Sequence, residues 1–127
     1  MGKEAGVAKT ILIVDDSNAI RQSVSFILEE AGYQITQAED GVEAVKKLGD
    51  NSFDLVLTDV NMPNMDGIAL TKYIRQAPQH QFTPVLMLTT ESQSQMLQRG
   101  KEAGATGWIV KPFDQEKLLS TVKKLVE

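Results

Sequence analysis

With 127 residues, 42% of them hydrophobic and 24% charged, the chain is sized for one globular domain and leaves no room for a second. Its formal net charge of −4 comes without any basic stripe, which argues against a nucleic acid as direct partner, and no stretch is apolar for long enough to cross a membrane. The absence of cysteine excludes disulfides and thiolate metal sites.

Met1-Gly2-Lys3-Glu4-Ala5-Gly6 has no apolar core of a signal peptide, so residues 1–9 read as a loose lead-in to a single domain, and a cytoplasmic location is expected. Thr10-Ile11-Leu12-Ile13-Val14 is a β-branched apolar run that stops at Asp15-Asp16, a first strand with two carboxylates at its C-terminal end. Ser17 or Asn18 then caps a helix whose buried stripe is Ile20, Val24, Ile27, Leu28 and Ala31, ended by Gly32 in the left-handed conformation. Ile35-Thr36-Gln37-Ala38 is a second, weaker strand. Asp40 with Glu43 three residues later predicts a capping box for a helix through Leu48, closed by Gly49.

Leu55-Val56-Leu57-Thr58-Asp59 reads as a strand buried on both faces, as in a parallel sheet, and it too ends in a carboxylate. Asp66-Gly67 marks a turn and helix start, after which Leu70, Tyr73, Ile74 and Ala77 predict a third helix stopped by Pro78. Val85-Leu86-Met87-Leu88 is the fourth strand, ending at Thr89-Thr90-Glu91. The fourth helix, residues 92–103, is the poorest: its stripe rests on Met96, Leu97 and Ala103, and Gly100 inside it costs about 1 kcal/mol relative to Ala. Gly107-Trp108-Ile109-Val110 is the fifth strand, ending at Lys111-Pro112, and Asp114 caps a last helix with Leu118, Val122 and Leu125 as its stripe. Five strand-helix units with short connections predict a doubly wound, five-stranded parallel sheet with helices on both faces.

In such a sheet every strand runs into a loop at the same edge, so Asp15, Asp16, Asp59, Thr89 and Lys111 are predicted to converge there. Three ionised carboxylates about 4 Å apart repel by roughly 4 kcal/mol per pair at an effective dielectric near 20. Lys111 supplies one positive charge, and a hard divalent ion held by carboxylate oxygens, Mg²⁺, supplies the rest. A solvated acidic rim, with each Asp acting as a cap, is the plainer alternative. An acidic pocket with a cation, a lysine and a hydroxyl suits phosphoryl transfer, in which positioning and charge neutralisation are most of what is needed. Asp59 is the candidate nucleophile, forming an aspartyl phosphate; Asp15 and Asp16 are the candidate metal ligands, and Thr89 and Lys111 the candidate phosphoryl contacts.

Val14-Asp15-Asp16-Ser17, the run from Asp59 to Gly67 (DVNMPNMDG), Leu88-Thr89 and Lys111-Pro112-Phe113 together resemble the receiver domain of two-component response regulators, most closely the single-domain chemotaxis regulators of the CheY type. The resemblance runs from Thr10 to the C-terminus and implies a flavodoxin-like sheet in the order 2-1-3-4-5. It implies that Asp59 is phosphorylated from a phosphohistidine on a CheA-like sensor histidine kinase. By the same resemblance Asp16, Asp59 and the Asn61 carbonyl bind Mg²⁺, and Asp15 assists through water. The Lys111-Pro112 bond would be cis. Thr89 and an aromatic on strand five, here Trp108, would form a switch that remodels the face of helix four, strand five and helix five for a downstream protein, such as a flagellar motor switch. For Trp108, core packing is the alternative. Asn61, Thr90 and Glu91 occupy positions that influence loss of the phosphoryl group, to which a separate phosphatase is a further candidate contributor. No effector segment follows Glu127, so the expected output is non-covalent contact made by a monomer that catalyses nothing beyond its own phosphorylation and dephosphorylation.

The alternative readings are a phosphate sink or phosphorelay shuttle, a phosphate-independent adaptor, an aspartyl-phosphate phosphohydrolase and a flavodoxin-type nucleotide binder. The phosphohydrolase wants an acid near its nucleophile, where this chain has Asn61. The nucleotide binder wants a Gly-rich phosphate loop where this chain has Asp15-Asp16. His80, in the polar loop Gln79-His80-Gln81, reads as a solvated surface residue, Met62, Met65 and Met87 as packing, and Lys46-Lys47 and Lys123-Lys124 as solvated helix faces.

Overall fold

The computed structural model describes residues 8–90 and 94–126. Strands and helices alternate through them: β1 Thr10–Val14, α1 Asn18–Glu30, β2 Gln34–Ala38, α2 Gly41–Leu48, β3 Leu55–Asp59, α3 Gly67–Gln76, β4 Val85–Thr90, α4 Ser94–Ala103, β5 Gly107–Lys111 and α5 Gln115–Val126. The five strands form one sheet in the order β2-β1-β3-β4-β5, and every pairing is parallel. This is the doubly wound, flavodoxin-like architecture expected from the sequence.

Strand alternation sorts the core into two faces. Ile11, Ile13, Leu55, Leu57, Leu86, Leu88 and Ile109 pack with Val24 and Leu28 of α1 and with Leu118, Val122 and Val126 of α5. On the other face Leu12, Val14, Val56 and Val85 pack with Ala44 and Leu48 of α2 and Leu70 and Ile74 of α3. A smaller cluster of Val60, Ile68, Met87 and Ala103 lies beneath α4. Central strands buried on both faces are why their sequences are continuous apolar runs; β2, at the edge and half-buried, is correspondingly polar. Among the described residues no helix is long and apolar enough to cross a membrane.

The helix starts are set by side-chain caps. Ser17 accepts from the Ile20 amide, Asp66 from Ala69 and Asp114 from Lys117. Asp40 accepts from the Glu43 amide, and the Glu43 carboxylate reaches back to the Glu39 amide, one residue before the expected partner. Gly32 is left-handed at φ 99°, as the end of α1 requires.

Three local expectations, those for Ala31, Tyr73 and His80, are corrected. Ala31 is exposed, being the C-cap beyond the end of α1 at Glu30, and Tyr73 is exposed while Thr71 is buried, its hydroxyl satisfied by the Gly67 carbonyl at 2.8 Å. His80 is 2% exposed rather than solvated, with Nε2 3.3 Å from the Gly49 carbonyl, so it ties the end of α2 to the loop before β4. Gly100 has a packing reason, since a Cβ there would stand 2.7 Å from the Met87 sulfur. Helix α4 begins at Ser94, and Ser92, expected at its start, lies outside the described residues.

Gly67 governs how α3 meets the sheet. A Cβ on it would collide with the Asp59 carbonyl and lie 3.1 Å from Val60 Cα, because its amide donates to the Val60 carbonyl at 2.8 Å. Gly67→Ala should therefore destabilise by about 2 kcal/mol, more than Gly32→Ala, whose cost of about 1 kcal/mol is the left-handed backbone alone. Urea midpoints at unchanged m-values measure both, and the reverse ranking would contradict the close approach.

Candidate functional site

The parallel sheet delivers its polar residues to one edge. Asp15 extends β1 by one step, its amide donating to the Ala38 carbonyl at 3.1 Å, and Asp59 is the last residue of β3. Asp59 pairs in register with Leu88, Thr89 with Val110 and Thr90 with Lys111, so strand register alone sets Thr89 and Lys111 at the level of the carboxylates. Alternation puts Asp15, Asp59 and Lys111 on the face shared by Ile13, Leu57 and Ile109, against α1 and α5, while Thr89 follows Met87 onto the other face.

Asp15, Asp16 and Asp59 each bring a carboxylate oxygen to within 4.8 Å of the others. The Lys111 ammonium bridges two of them, 3.5 Å from Asp15 Oδ2 and 3.3 Å from Asp59 Oδ1. Asp15 is buried, Asp59 partly buried, and Asp16 faces solvent. Asp15 Oδ1 accepts from the Ser17 amide at 2.9 Å, and Asp59 Oδ1 from the Val60 amide at 2.8 Å. Asp15 Oδ2, fully buried, has no hydrogen-bond partner, its ammonium neighbour being the ion pair just described. Arg21 holds the β1–α1 turn from behind by donating to the Asp15 carbonyl and to Gln37 and Asn18, so its charge serves the turn and not the carboxylates.

Three carboxylates facing one ammonium leave negative charge uncompensated, and an orphaned buried oxygen among hard donors is what a divalent cation satisfies. The residues present therefore fit a metal such as Mg²⁺. The Asp59 carboxyl is raised above its usual range, first by burial and then by the Asp15 charge, with Lys111 and the Val60 amide pulling the other way.

The remaining sequence-predicted positions distribute as follows. Thr89 is buried at the end of β4. Asn61 is exposed in the loop following Asp59. Thr90 is the last residue of β4, and Glu91 lies outside the described residues. The Lys111–Pro112 peptide bond is cis. Trp108 is 38% exposed on β5, which rules out the fully buried core role, and borders a depression of about 400 Å³ with Val110, Phe113 and Lys117. Sequence reasoning passed over Asn64, whose side-chain amide donates to Asp40 Oδ2 at 2.7 Å next to the acidic cluster. Its signal was present in the sequence: Asn is the residue best suited, after Gly, to the left-handed φ of 70° found there.

Comparison with known proteins gives a consistent result. The model of the response regulator receiver domain matches residues 11–123. The chain is 42% identical over 118 residues to the chemotaxis protein CheY-3 of Vibrio cholerae, covering 92% of this chain and 91% of that protein. It superposes on the chemotaxis response regulator CheY4 of Vibrio cholerae with a TM-score of 0.89 at 48% identity, covering 94% and 99% of the two chains. A response regulator from Chloroflexus aurantiacus superposes with a TM-score of 0.91 at 35% identity, covering 94% and 98%.

A carboxyl whose pKa is raised on folding binds its proton more tightly in the folded chain. Its ionisation therefore costs stability as pH climbs from the unfolded value of 3.8 through the folded one, and the whole cost is present above both. In metal-free protein Asp59→Asn should raise Tm at pH 7 by about 4 °C, or about 1 kcal/mol, and the gain should fade below pH 3.8. A gain independent of pH would locate its cause outside this titration.

Proposed function

The chain belongs to the response regulator receiver family, and from that premise we propose that it accepts a phosphoryl group on Asp59 from the phosphohistidine of a sensor kinase and then binds a downstream protein. The observation that carries this reading is the Lys111 ammonium bridging Asp15 and Asp59 beside Asp16 at the mouth of the sheet.

In the transfer, an Asp59 carboxylate oxygen attacks phosphorus, the new P–O bond forms, and the P–N bond to the donor imidazole breaks, its electron pair returning to the ring nitrogen. Asp59 must be ionised to attack. Its raised pKa makes the ionised form a better nucleophile than an ordinary aspartate. Lys111, 3.3 Å from Asp59, pairs with the negative charge that arrives on the phosphoryl oxygens, and the Thr89 hydroxyl donates to another of them. Asp15, Asp16, Asp59 and the Asn61 carbonyl would hold Mg²⁺, which when bound supplies the positive charge that lets an anionic phosphoryl group approach three carboxylates. The protein turns over only its own phosphate. A cytoplasmic location fits a kinase donor of this kind.

The output we assign to the surface of α4, β5 and α5, where Trp108 and Val110 are exposed beside the exposed lysines of α5. The likeness to chemotaxis regulators of Vibrio cholerae supports a partner in chemotaxis, such as the flagellar motor switch, with a phosphate sink as the alternative. Signalling requires that the phosphorylated and unphosphorylated forms differ in affinity for that partner.

Incubation with acetyl phosphate should add one phosphoryl group by intact mass, dependently on Mg²⁺ and not in Asp59→Asn; a gain that survives the substitution would mean a different nucleophile. By its resemblance to the family, Thr90 takes a position that influences loss of the phosphoryl group and is usually held by a smaller residue, and we propose that a threonine there slows the attack of water. Thr90→Ala should therefore lose the group faster than wild type, by several-fold or more in the decay rate of the modified mass.

A further inference from the structure

The loop between β3 and α3, residues 60–66, carries Asn61 and is shaped by an unusual turn. Its ends are fixed by the backbone: the Val60 amide donates to Leu88, the Gly67 amide to Val60, and the Gly41 amide reaches across to the Met65 carbonyl at 3.1 Å. Its apex is a three-residue turn closed by the Met65 amide on the Pro63 carbonyl at 2.7 Å, with Asn64 at its centre at φ 70°. Turns of this hand are rare and strained, and a side chain other than Gly persists in one only when its surroundings hold it there. What holds it is the 2.7 Å hydrogen bond from the Asn64 amide to Asp40 Oδ2. Asp40 is itself fixed, being buried and using Oδ1 to cap α2 through the Glu43 amide at 2.8 Å.

We propose that Asn64 and Asp40 form a latch that clamps the β3–α3 loop onto the N-terminus of α2 and so positions Asn61 beside the acidic cluster. Both are positioning residues: neither is a metal ligand or a phosphoryl contact, and they act through the shape of the loop. The part of the proposal that concerns the cation rests on the receiver reading; the part that concerns the loop does not. The anchoring is asymmetric in a useful way. Asp40 belongs to a helix cap that stays in place without the loop, whereas Asn64 depends on Asp40 for its conformation.

Glycine separates the latch from the strain. Asn64→Gly relieves the backbone at φ 70° and removes the amide, so if strain relief dominated the loop would tighten, and if the latch dominates it loosens. Asn64→Asp keeps a residue tolerant of that φ but sets two carboxylates against each other. The double variant Asp40→Asn/Asn64→Asp restores the pair with donor and acceptor exchanged, at the same net charge, and Asn caps a helix as well as Asp does.

Amide hydrogen exchange in metal-free protein is the first readout. Residues 61–65 should exchange about 10-fold faster in Asn64→Gly and in Asn64→Asp, and return to the wild-type rate in the exchanged pair. The second readout is Mg²⁺ affinity by calorimetry, expected to weaken about 10-fold in both single variants and to recover in the double variant. Wild-type exchange rates in Asn64→Gly, or no recovery in the double variant, would overturn the latch. Wild-type protein that takes up no Mg²⁺ would instead overturn the receiver reading, and the exchange data would still decide on the latch.

Discussion

The constraint on which the rest depends is that all five strands run the same way. A parallel sheet gathers the C-terminal ends of its strands on one edge, and chemistry-bearing residues placed there become neighbours whatever their separation in sequence. Asp15 and Lys111 lie almost a hundred positions apart and stand 3.5 Å from each other. The same constraint explains the sequence of the strands, since crossover helices cover both faces and force continuous apolar runs such as Leu55 to Leu57. In β3 and β4 polarity then gathers at the C-terminal end, where the strand leaves the core.

Within that edge, alternation does the finer placement. Asp15, Asp59 and Lys111 continue the face of Ile13, Leu57 and Ile109, which is why the ammonium reaches both carboxylates. Thr89 arrives from the opposite face of a neighbouring strand, so a group bound at Asp59 is approached from two sides. The loop after Asp59 closes the third side, held by Gly67 against the strand and by Asn64 against α2. Each of these placements is a backbone fact first and a side-chain fact second. That order is why the site tolerates being assembled from four separate connections.

The legibility of the molecule followed the range of the interactions. Strands, caps and their order were readable because the signals are local: an apolar run, an Asp or Ser before a helix, a Gly after one. The carboxylate cluster was readable because strand ends are local and the sheet brings them together by rule. His80 was not, since its burial comes from the Gly49 carbonyl thirty-one positions away, and nothing in Gln79-His80-Gln81 announces it. Arg75 was passed over for the same reason: its guanidinium reaches the carbonyls of Gly104, Gln81 and Thr83, all supplied by other segments. For Gly100 the sequence carried only half the account, since helix propensity prices a glycine by its backbone and is blind to the sulfur of Met87. Tyr73 shows the limit of periodicity, which finds a stripe but does not fix its centre to better than one residue.

The site is a net expense to the fold, and the fold is built to carry it. Burial and the Asp15 charge disfavour the ionised form of Asp59, Asp15 Oδ2 is buried without a hydrogen bond, and Asn64 holds a left-handed backbone. None of these serves folding, and each is of a kind that concentrates where groups are held ready for a reaction. The compensation lies one layer away, in β1, β3 and β4, whose Ile11 to Val14, Leu55 to Leu57 and Val85 to Leu88 are at most 1% exposed. Because that core does not pass through the carboxylates, their charge can be changed without loss of the sheet. A pocket whose ionised form is strained gains most from whatever neutralises it, so the cost to the unliganded fold and the fitness of the three carboxylates for a cation have the same origin.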